Sequence, residues 1–318
     1  MAEHTNIEWC DSTANLWEGC AQVSPGCGDA SGGGCYAMVR NARFNGGVAV
    51  NWGPHSPRKY VSAGWALIRK YQRAAAATGV DPQLGRKRRI FVNSLSDFFD
   101  NHRSITWRDE AFALFEASPD VILILVTKRP ENVAKMVPPH WMQPSGWPAH
   151  VWLLVTVEDQ TRAYHRIPIL IDLPVPMVGV SAEPLLGPIF FKDEWLDRLG
   201  WVIVGGESGP KARPLHPEWA RGPRDQCADA GVPFLHKQNG EFAPGEIAGE
   251  YLNPERPAKG FEWDNSCWQE CWSEVDGHCD DEPDVYRVGK KAAGRLLDGR
   301  THDGFPDAAL ARAKGGEG

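Results

Sequence analysis

VILILVTKRPENVAKM, residues 121–136, decides the fold, because it contains one complete strand-and-helix unit of a parallel sheet. Val121–Thr127 is continuously apolar and rich in β-branched residues, as expected for a strand that is buried on both faces. Two cationic residues, Lys128 and Arg129, follow the strand, and a short helix is expected over residues 131–136. This order of elements predicts a βα unit with polar side chains at the carboxyl end of its strand.

Similar units recur along the chain at intervals of about 25–30 residues, as in repeated βα folds with right-handed crossovers. We expect further strands at residues 5–9, 90–93, 151–157, 177–181, 201–204 and 232–236, and helices at residues 35–44, 60–78, 106–117 and 217–230. The sequence therefore predicts an α/β fold with a partial or full (β/α) barrel of the TIM type. A doubly wound open sheet is the alternative.

The pattern changes after Gly240, which divides the chain into a barrel over residues 1–240 and a C-terminal extension over residues 241–318. We expect the extension to pack on the barrel, to be irregular over residues 241–283 and to form a short basic helix at residues 288–297. Cys267, Cys271, His278 and Cys279 lie in this extension. Their spacing is irregular, so ordinary thiols are favoured over a zinc site or a second iron–sulfur cluster.

Composition narrows the class of protein. The net charge of −7 argues against tight, sequence-independent binding to long nucleic acid, but it allows one nucleotide or flipped base in a locally basic pocket. No apolar run approaches a membrane span, and the N-terminus lacks a signal-peptide pattern, so a cytoplasmic location without membrane contact is expected. There, the eight cysteines favour ligands or free thiols over disulfides.

A glycine-rich loop at residues 16–38, LWEGCAQVSPGCGDASGGGCYAM, holds Cys20, Cys27 and Cys35. Three thiolates in one loop are able to bind three irons of a [4Fe–4S] cluster and leave the fourth iron open. The glycines allow the backbone to wrap closely around such a cluster. A structural zinc site or unrelated buried thiols remain alternatives, and Cys10 is a fourth nearby thiol that competes as a ligand.

Active sites of α/β barrels lie at the carboxyl ends of the strands. Lys128 and Arg129 occupy this position, and with Arg213, Lys237 and Gln238 on neighbouring loops they suit the phosphate or carboxylate of a substrate. Solvated surface charge is the alternative. The basic run at residues 86–89 precedes a strand, so we expect it to lie at the opposite end of the barrel and to be solvated.

Several motifs in combination resemble the bacteriophage-encoded, radical S-adenosylmethionine-like protein family, whose signature is TGC…SPGC..CYA. The matching cysteine-loop residues are Gly19-Cys20, Ser24-Pro25-Gly26-Cys27 and Cys35-Tyr36-Ala37. The longer matches cover nearly the whole chain: IFVNSLSDFF (90–99), TKRPE (127–131), VSAEPLLGPI (180–189), VIVGGESG (202–209), GVPFLHKQNGE (231–241) and VGKKAAGRLLDGR (288–300). One departure is that seven residues separate Cys27 from Cys35, whereas the family has two.

The resemblance implies a barrel of the radical S-adenosylmethionine type, with a [4Fe–4S] cluster on Cys20, Cys27 and Cys35. It implies that S-adenosylmethionine binds to strand-end residues: Tyr36, Asn93, Ser94, Ser96 and Asp97 near its amino group, Thr156, Glu158, Ser181 and Glu183 near its ribose and carboxylate, and Gly205 and Gly206 near its adenine. Lys128, Arg129 and Glu207 are the implied catalytic residues.

The implied activity is formation of a 5′-deoxyadenosyl radical, which abstracts hydrogen from a substrate. The phage context suggests that it modifies or isomerises a nucleotide or a hypermodified DNA base, such as an amino-acid adduct of thymidine, with flavodoxin or ferredoxin as the electron donor. A peptide or RNA substrate stays open. The alternative function is a non-catalytic, zinc-stabilised protein that binds a nucleotide or phosphate.

Overall fold

The computed structural model describes residues 3–28, 34–101, 105–253, 258–273 and 283–306. The first half of the chain contains β1 (Ser12–Ala14), β2 (Trp17–Glu18), α1 (Tyr36–Phe44), β3 (Lys59–Tyr60), α2 (Ser62–Ala75), β4 (Arg88–Val92), α3 (Ile105–Glu116), β5 (Val121–Thr127), α4 (Pro130–Met136) and β6 (Val151–Thr156). The second half contains α5 (Gln160–Ile171), β7 (Val178–Ala182), α6 (Asp193–Leu196), β8 (Trp201–Gly205), α7 (Pro217–Asp229), β9 (Phe234–Gln238), β10 (Phe242–Ala243), α8 (Gly245–Ala248), β11 (Lys259–Trp263), β12 (Trp268–Trp272), β13 (Val285–Arg287) and α9 (Lys290–Ala293).

Seven parallel strands form the main sheet, in the order β1-β4-β5-β6-β7-β8-β9. The sheet curls into a half-barrel, and its strand order follows chain order without a reversal. A doubly wound sheet requires a reversal of strand order, so that alternative is wrong. The predicted α/β fold is confirmed as a mixed α/β fold whose sheet has the form of a partial barrel.

The strands are continuously apolar because both faces of the sheet are buried. On the outer face, alternate residues such as Ile90, Val92, Leu123 and Leu125 share a core with α2 and α3. The inner face has its own cluster, which includes Ile124, Trp152, Leu154, Trp201, Ile203 and Leu235. Each fully buried side chain of this kind contributes about 1.5–3 kcal/mol. The two clusters together hold the strand ends at fixed positions.

Both ends of the described chain close the amino-terminal end of the half-barrel. The strand predicted at residues 5–9 is wrong, because the first strand is Ser12–Ala14 and the preceding segment enters the barrel. There Trp9 packs against Phe91, with ring centroids 4.7 Å apart. Near the other end, Gly304 donates a hydrogen bond to the carbonyl of Phe234, and Phe305 packs against Trp201.

The basic run at residues 86–89 lies at this amino-terminal end, as predicted, but the expectation that it is solvated is wrong for two of its members. Arg88 is 1% exposed and its Nε lies 2.6 Å from Asp81 Oδ2. Arg89 lies over the ring of Phe305, with its guanidinium carbon 3.7 Å from the ring centroid. A carboxylate and an aromatic face therefore replace the water that the sequence led us to expect around these two side chains.

The part of the chain after β9 forms a second, smaller antiparallel sheet in the order β10-β13-β11-β12. The expectation of irregular structure over residues 241–283 is therefore wrong for the described strands, and the helix expected at 288–297 shortens to α9. Trp219 of α7 packs against Trp263 and Trp268, which joins this sheet to the barrel. Within the described ranges, none of the helices combines the length and apolar character needed to cross a membrane.

Candidate functional site

A cavity of about 650 Å³ lies at the carboxyl ends of the strands, beneath the cysteine loop. All but three of the predicted site residues line it, the exceptions being Glu158, Gly205 and Arg213; Lys237 and Gln238 are among those that do. The other predicted residues in its wall are Cys20, Cys27, Cys35, Tyr36, Asn93, Ser94, Ser96, Asp97, Lys128, Arg129, Thr156, Ser181, Glu183, Gly206 and Glu207. Residues from distant parts of the sequence therefore meet in one place, as expected for strand ends of a barrel.

Local backbone hydrogen bonds shape the cysteine loop. Pro25–Cys27 forms a single 3₁₀ turn, in which the amide of Cys27 donates to the carbonyl of Ser24. Gly28 and Gly34 pair as an antiparallel bridge, and the amide of Cys35 donates to the carbonyl of Cys27. The two ends of the seven-residue segment between the cysteines are thus adjacent. The backbones of Cys27 and Cys35 therefore lie close together despite their separation in sequence. Residues 29–33 are outside the described part.

Burial disfavours the thiolate form of two loop cysteines, Cys20 and Cys35. Burial raises the pKa of Cys20 to about 12, with Asp97 adding to the shift and Arg129 opposing it. Burial also raises the pKa of Cys35, and Lys128 acts in the opposite direction. Thiolate ligation therefore has to displace protons, as at other metal sites built from cysteine.

The donor set fits an iron–sulfur cluster in residue type and in charge. The three thiols line one cavity, and cationic groups accompany them: Arg129 Nη1 lies 3.5 Å from Cys20 Sγ. Burial opposes the charged form of Lys128, but Glu158 and the thiols of Cys27 and Cys35 raise its pKa overall. Among the described residues, no group of three or more His, Cys, Asp or Glu side chains is already arranged to hold a metal ion.

Arg129 connects the cysteine loop to the loop after β4. Its side chain is 3% exposed, with Nη1 3.1 Å from Asp97 Oδ2 and Nη2 3.4 Å from Asp100 Oδ1. It also donates a hydrogen bond of 2.5 Å to the carbonyl of Ala21, next to Cys20. Asp97 is fixed in turn by Thr127, whose hydroxyl donates to it over 2.7 Å. These contacts favour a positioning role for Arg129 over direct contact with a substrate anion.

Glu158, two residues after the end of β6, contacts the same loop. It is fully buried and accepts hydrogen bonds from Ser24 Oγ at 2.5 Å and from Arg166 Nη1 at 2.7 Å. A Cβ at Gly26 would lie 2.5 Å from Glu158 Oε1, so only glycine fits over the carboxylate. The ammonium of Lys128 is 4.0 Å from Glu158 Oε1, which leaves its N–H donors available to the cavity that Lys128 lines.

A partly buried ion pair lies across the cavity. Lys237 Nζ is 2.6 Å from Glu183 Oε1, and Trp9 Nε1 donates to Glu183 Oε2 over 3.3 Å. Burial disfavours the charged form of Lys237, but Glu183 raises its pKa overall. Gly205 does not line the cavity; a Cβ there would lie 2.8 Å from Glu183 Oε1, so this glycine makes room for the carboxylate.

Asn93 presents a donor without a partner. It directly follows β4 and has a φ of +62°, a left-handed conformation that asparagine tolerates better than most residues. Its Oδ1 accepts from the amide of Leu16 at 2.8 Å, whereas its buried Nδ2 has no partner among the residues that the structure describes. Nearby, Tyr36 donates its hydroxyl to the carbonyl of Ser94, which fixes the start of α1 against the loop after β4.

Glu207 is neutralised within its own loop. Arg213 Nε lies 2.8 Å from Glu207 Oε2, and Arg213 Nη2 lies 2.9 Å from Oε1, a two-point contact. Gln238 donates to the carbonyl of Gly206 over 2.8 Å and so joins this loop to β9. Of the cationic residues proposed from the sequence, Arg129, Arg213 and Lys237 therefore each have a carboxylate partner within the protein.

Sequence reasoning missed several cavity residues. Trp9 and Trp52 line the cavity, as do Arg40 of α1 and Lys290 of α9. The abundance of tryptophan in the sequence does not indicate which tryptophans line a cavity, and Arg40 was predicted only as part of a helix. In the extension, Cys267 is exposed and lies 3.6 Å from Asp264 Oδ2. His278 and Cys279 lie outside the described residues.

Comparisons with known proteins give one match. No curated protein matches the chain, and no solved structure matches it either. A family model, described as "Protein of unknown function (DUF5131)", matches residues 4–306. The match includes the half-barrel, the cysteine loop and the smaller sheet. The chain therefore belongs to the DUF5131 family.

Proposed function

We propose that the protein is a radical S-adenosylmethionine enzyme with a [4Fe–4S] cluster on Cys20, Cys27 and Cys35. The observation that carries this proposal is the position of the three thiols: they follow the first strand of a partial barrel and line the cavity at its strand ends. When bound, the cluster supplies an electron to the sulfonium of S-adenosylmethionine, which then yields methionine and a 5′-deoxyadenosyl radical.

Residues of the chain prepare the site for the cluster and cofactor. The guanidinium of Arg129 and the ammonium of Lys128 offset the negative charge of thiolates on the cysteine loop. Arg129 donates to the carbonyl of Ala21 and Glu158 accepts from Ser24, so two points of this loop are tied to separate strand ends before metal binds. A restrained loop lowers the ordering cost of binding.

For the cofactor, we propose a path along the cavity wall from β4 to β8. The unpartnered Nδ2 of Asn93 supplies a donor for its carboxylate, and Ser94, Ser96 and Asp97 lie beside it. Thr156, Ser181 and Glu183 offer polar atoms to ribose hydroxyls, and Gly206 gives backbone access for adenine. Trp9, Phe91 and Val126 supply apolar wall that excludes water from the reacting carbon.

For the substrate, we propose a nucleotide or a DNA base. Lys128 has N–H donors left for an anionic group, and Lys290 lines the cavity from an exposed position on α9. Trp52 also lines the cavity and offers a ring on which a base is able to stack. Glu207, held by Arg213, is placed to interact with polar groups of the base.

The test is anaerobic incubation of the reconstituted protein with S-adenosylmethionine and dithionite. We expect 5′-deoxyadenosine from the native chain and none from Cys27→Ala. Metal analysis of the anaerobically purified protein separates this function from the zinc-stabilised alternative: about four irons with matching sulfide support the enzyme, whereas zinc without iron contradicts it. Candidate oligonucleotides are then added to find which one increases product formation.

A further inference from the structure

The surface formed by α1 and the loop after it is unusually apolar. Four of its large hydrophobic side chains are between 45% and 71% exposed: Val39, Phe44, Val48 and Val50. Arg40 and Arg43 lie among them and are also exposed. We call these six residues the α1 face. Several large apolar side chains exposed on one short segment are a feature of binding surfaces.

The charge of this region differs from that of the whole chain. Residues 34–60 contain neither Asp nor Glu, although the complete chain has a net charge of −7. Their exposed cations are Arg40, Arg43 and Lys59, whereas Arg58 is buried against Asp100. Arg40 Nη1 lies 3.8 Å from Glu18, and its side chain remains 48% exposed. A cationic, apolar surface on an acidic protein is complementary to a partner whose contact surface is acidic.

The residue types favour a protein partner over a nucleic acid. Aliphatic side chains with one aromatic residue and two arginines match the centre of protein–protein interfaces, which are enriched in aromatic residues and arginine and depleted in charged lysine and acid. A nucleic-acid groove instead carries a row of cations with stacked aromatics.

The position of the face indicates what the partner does. Helix α1 begins directly after Cys35, and at 1.5 Å per residue Phe44 lies about 14 Å along the helix from that cysteine. A carrier seated on the α1 face would therefore lie close to the proposed cluster, and Arg40 is the one residue of the face that also lines the cavity. This location suits delivery of an electron while the substrate occupies the cavity mouth.

We infer that the α1 face is the docking surface for an acidic, one-electron carrier protein. The inference rests on the proposed function and names the partner of that same site. One electron leaves the reduced carrier and enters the cluster, so the carrier is oxidised by one electron, and no covalent bond forms or breaks in this step.

The experiment compares a protein donor with a small one. Arg43→Glu/Phe44→Ser alters the face at residues that do not line the cavity, and Phe190→Ser/Lys192→Glu changes a similar exposed pair elsewhere. An acidic flavodoxin is the probe. Its affinity for each full-length protein is measured by isothermal titration calorimetry, and 5′-deoxyadenosine formation is measured with reduced flavodoxin and, separately, with dithionite.

We expect Arg43→Glu/Phe44→Ser to weaken flavodoxin binding by about tenfold or more and to slow flavodoxin-driven turnover, with the dithionite-driven rate unchanged. The control variant should match the native protein in all three measurements. Equal flavodoxin binding by all three proteins would overturn the inference. If Arg43→Glu/Phe44→Ser also lost dithionite-driven product and bound a single-stranded oligonucleotide more weakly, the α1 face would be assigned to substrate binding instead. No 5′-deoxyadenosine from the native protein with either donor would refute the proposed function and this inference with it.

Discussion

Ser24 donates a hydrogen bond of 2.5 Å to Glu158, a residue 134 positions further along the chain. The contact joins the cysteine loop, which follows the first strand, to the end of β6 in the middle of the half-barrel. Because Glu158 is also held by Arg166, the turn that contains Cys27 rests on a buried carboxylate whose own position is fixed. The loop is therefore ordered by the barrel as well as by its own hydrogen bonds.

This contact predicts different outcomes for two glycines of the loop. Gly26→Ala places a methyl group 2.5 Å from Glu158 Oε1 and should displace the turn, whereas Gly34→Ala meets no described residue within 4 Å. We expect Gly26→Ala to lower the melting temperature and to reduce iron uptake several-fold. Gly34→Ala should match the native protein in both. Equal iron content in the two variants would show that Glu158 does not position the turn.

The second prediction concerns the ligands. Cys20→Ala, Cys27→Ala and Cys35→Ala should each abolish the absorption near roughly 400 nm that a [4Fe–4S] cluster gives. Cys10→Ala should retain most of it, because Cys10 belongs to the inner-face core rather than to the cavity wall. Retention of iron by Cys35→Ala, together with its loss from Cys10→Ala, would reverse the ligand assignment.

The third prediction follows from the buried contacts of Arg129. Arg129→Ala leaves Asp97 and Asp100 without this cation in a site where their side chains are 8% and 5% exposed. Removing one member of a buried ionic network costs about 3–5 kcal/mol of unfolding free energy. Arg162→Ala, which breaks a partly exposed pair with Asp159, should cost about 1 kcal/mol or less. Urea unfolding of the two variants measures both changes, and similar values would contradict the structural role of Arg129.

The fourth prediction is a pH dependence that arises from His236. Burial lowers the pKa of this fully buried imidazole to about 4, whereas an unfolded histidine titrates near 6.5. Between these values the unfolded chain binds the proton and the folded chain does not, so stability falls as pH decreases through this range. The contribution is about 3 kcal/mol, complete above pH 6.5 and lost by pH 4.

His236→Gln removes the titrating group and should flatten the decline of unfolding free energy between pH 6.5 and 4. His165→Gln, on the exposed face of α5, is the matched control and should leave the slope unchanged. If unfolding free energy declines with pH as steeply in His236→Gln as in the native protein, the pH dependence arises from another group.

The sequence predicted which residues meet at the carboxyl ends of the strands better than it predicted the contacts among them. Strands such as Val121–Thr127 are recognisable because burial on both faces demands continuous apolar character, and the residues after such strands must meet at one end of a parallel sheet. The partners of Arg129 and Glu158 were not predictable in this way. They come from loops separated by about 30 to 130 residues, and nothing in local sequence indicates which carboxylate approaches which cation.

The errors have physical reasons of the same kind. Residues 5–9 alternate as a strand does, but Trp9 satisfies this pattern by packing inside the barrel. Helix α5 was not predicted and contains Pro168, yet Asp159 caps it by accepting from the amide of Arg162. The strands β11 and β12 are short, tryptophan-rich and partly exposed, so they lack the apolar runs that identified the barrel strands.

The backbone bridge between Gly28 and Gly34 brings together the two ends of the segment at residues 29–33. Deletion of residues 29–33 would leave the sequence Cys27-Gly28-Gly34-Cys35, with two residues between the cysteines, which is the spacing of the family that the loop resembles. Paired residues in an antiparallel bridge have Cα atoms about 4.5–5.5 Å apart, and a peptide bond joins Cα atoms about 3.8 Å apart. The chain would close with a shift of only about 1–2 Å. We therefore expect a change in the length of this segment to move the two thiols on either side by no more than about 1–2 Å.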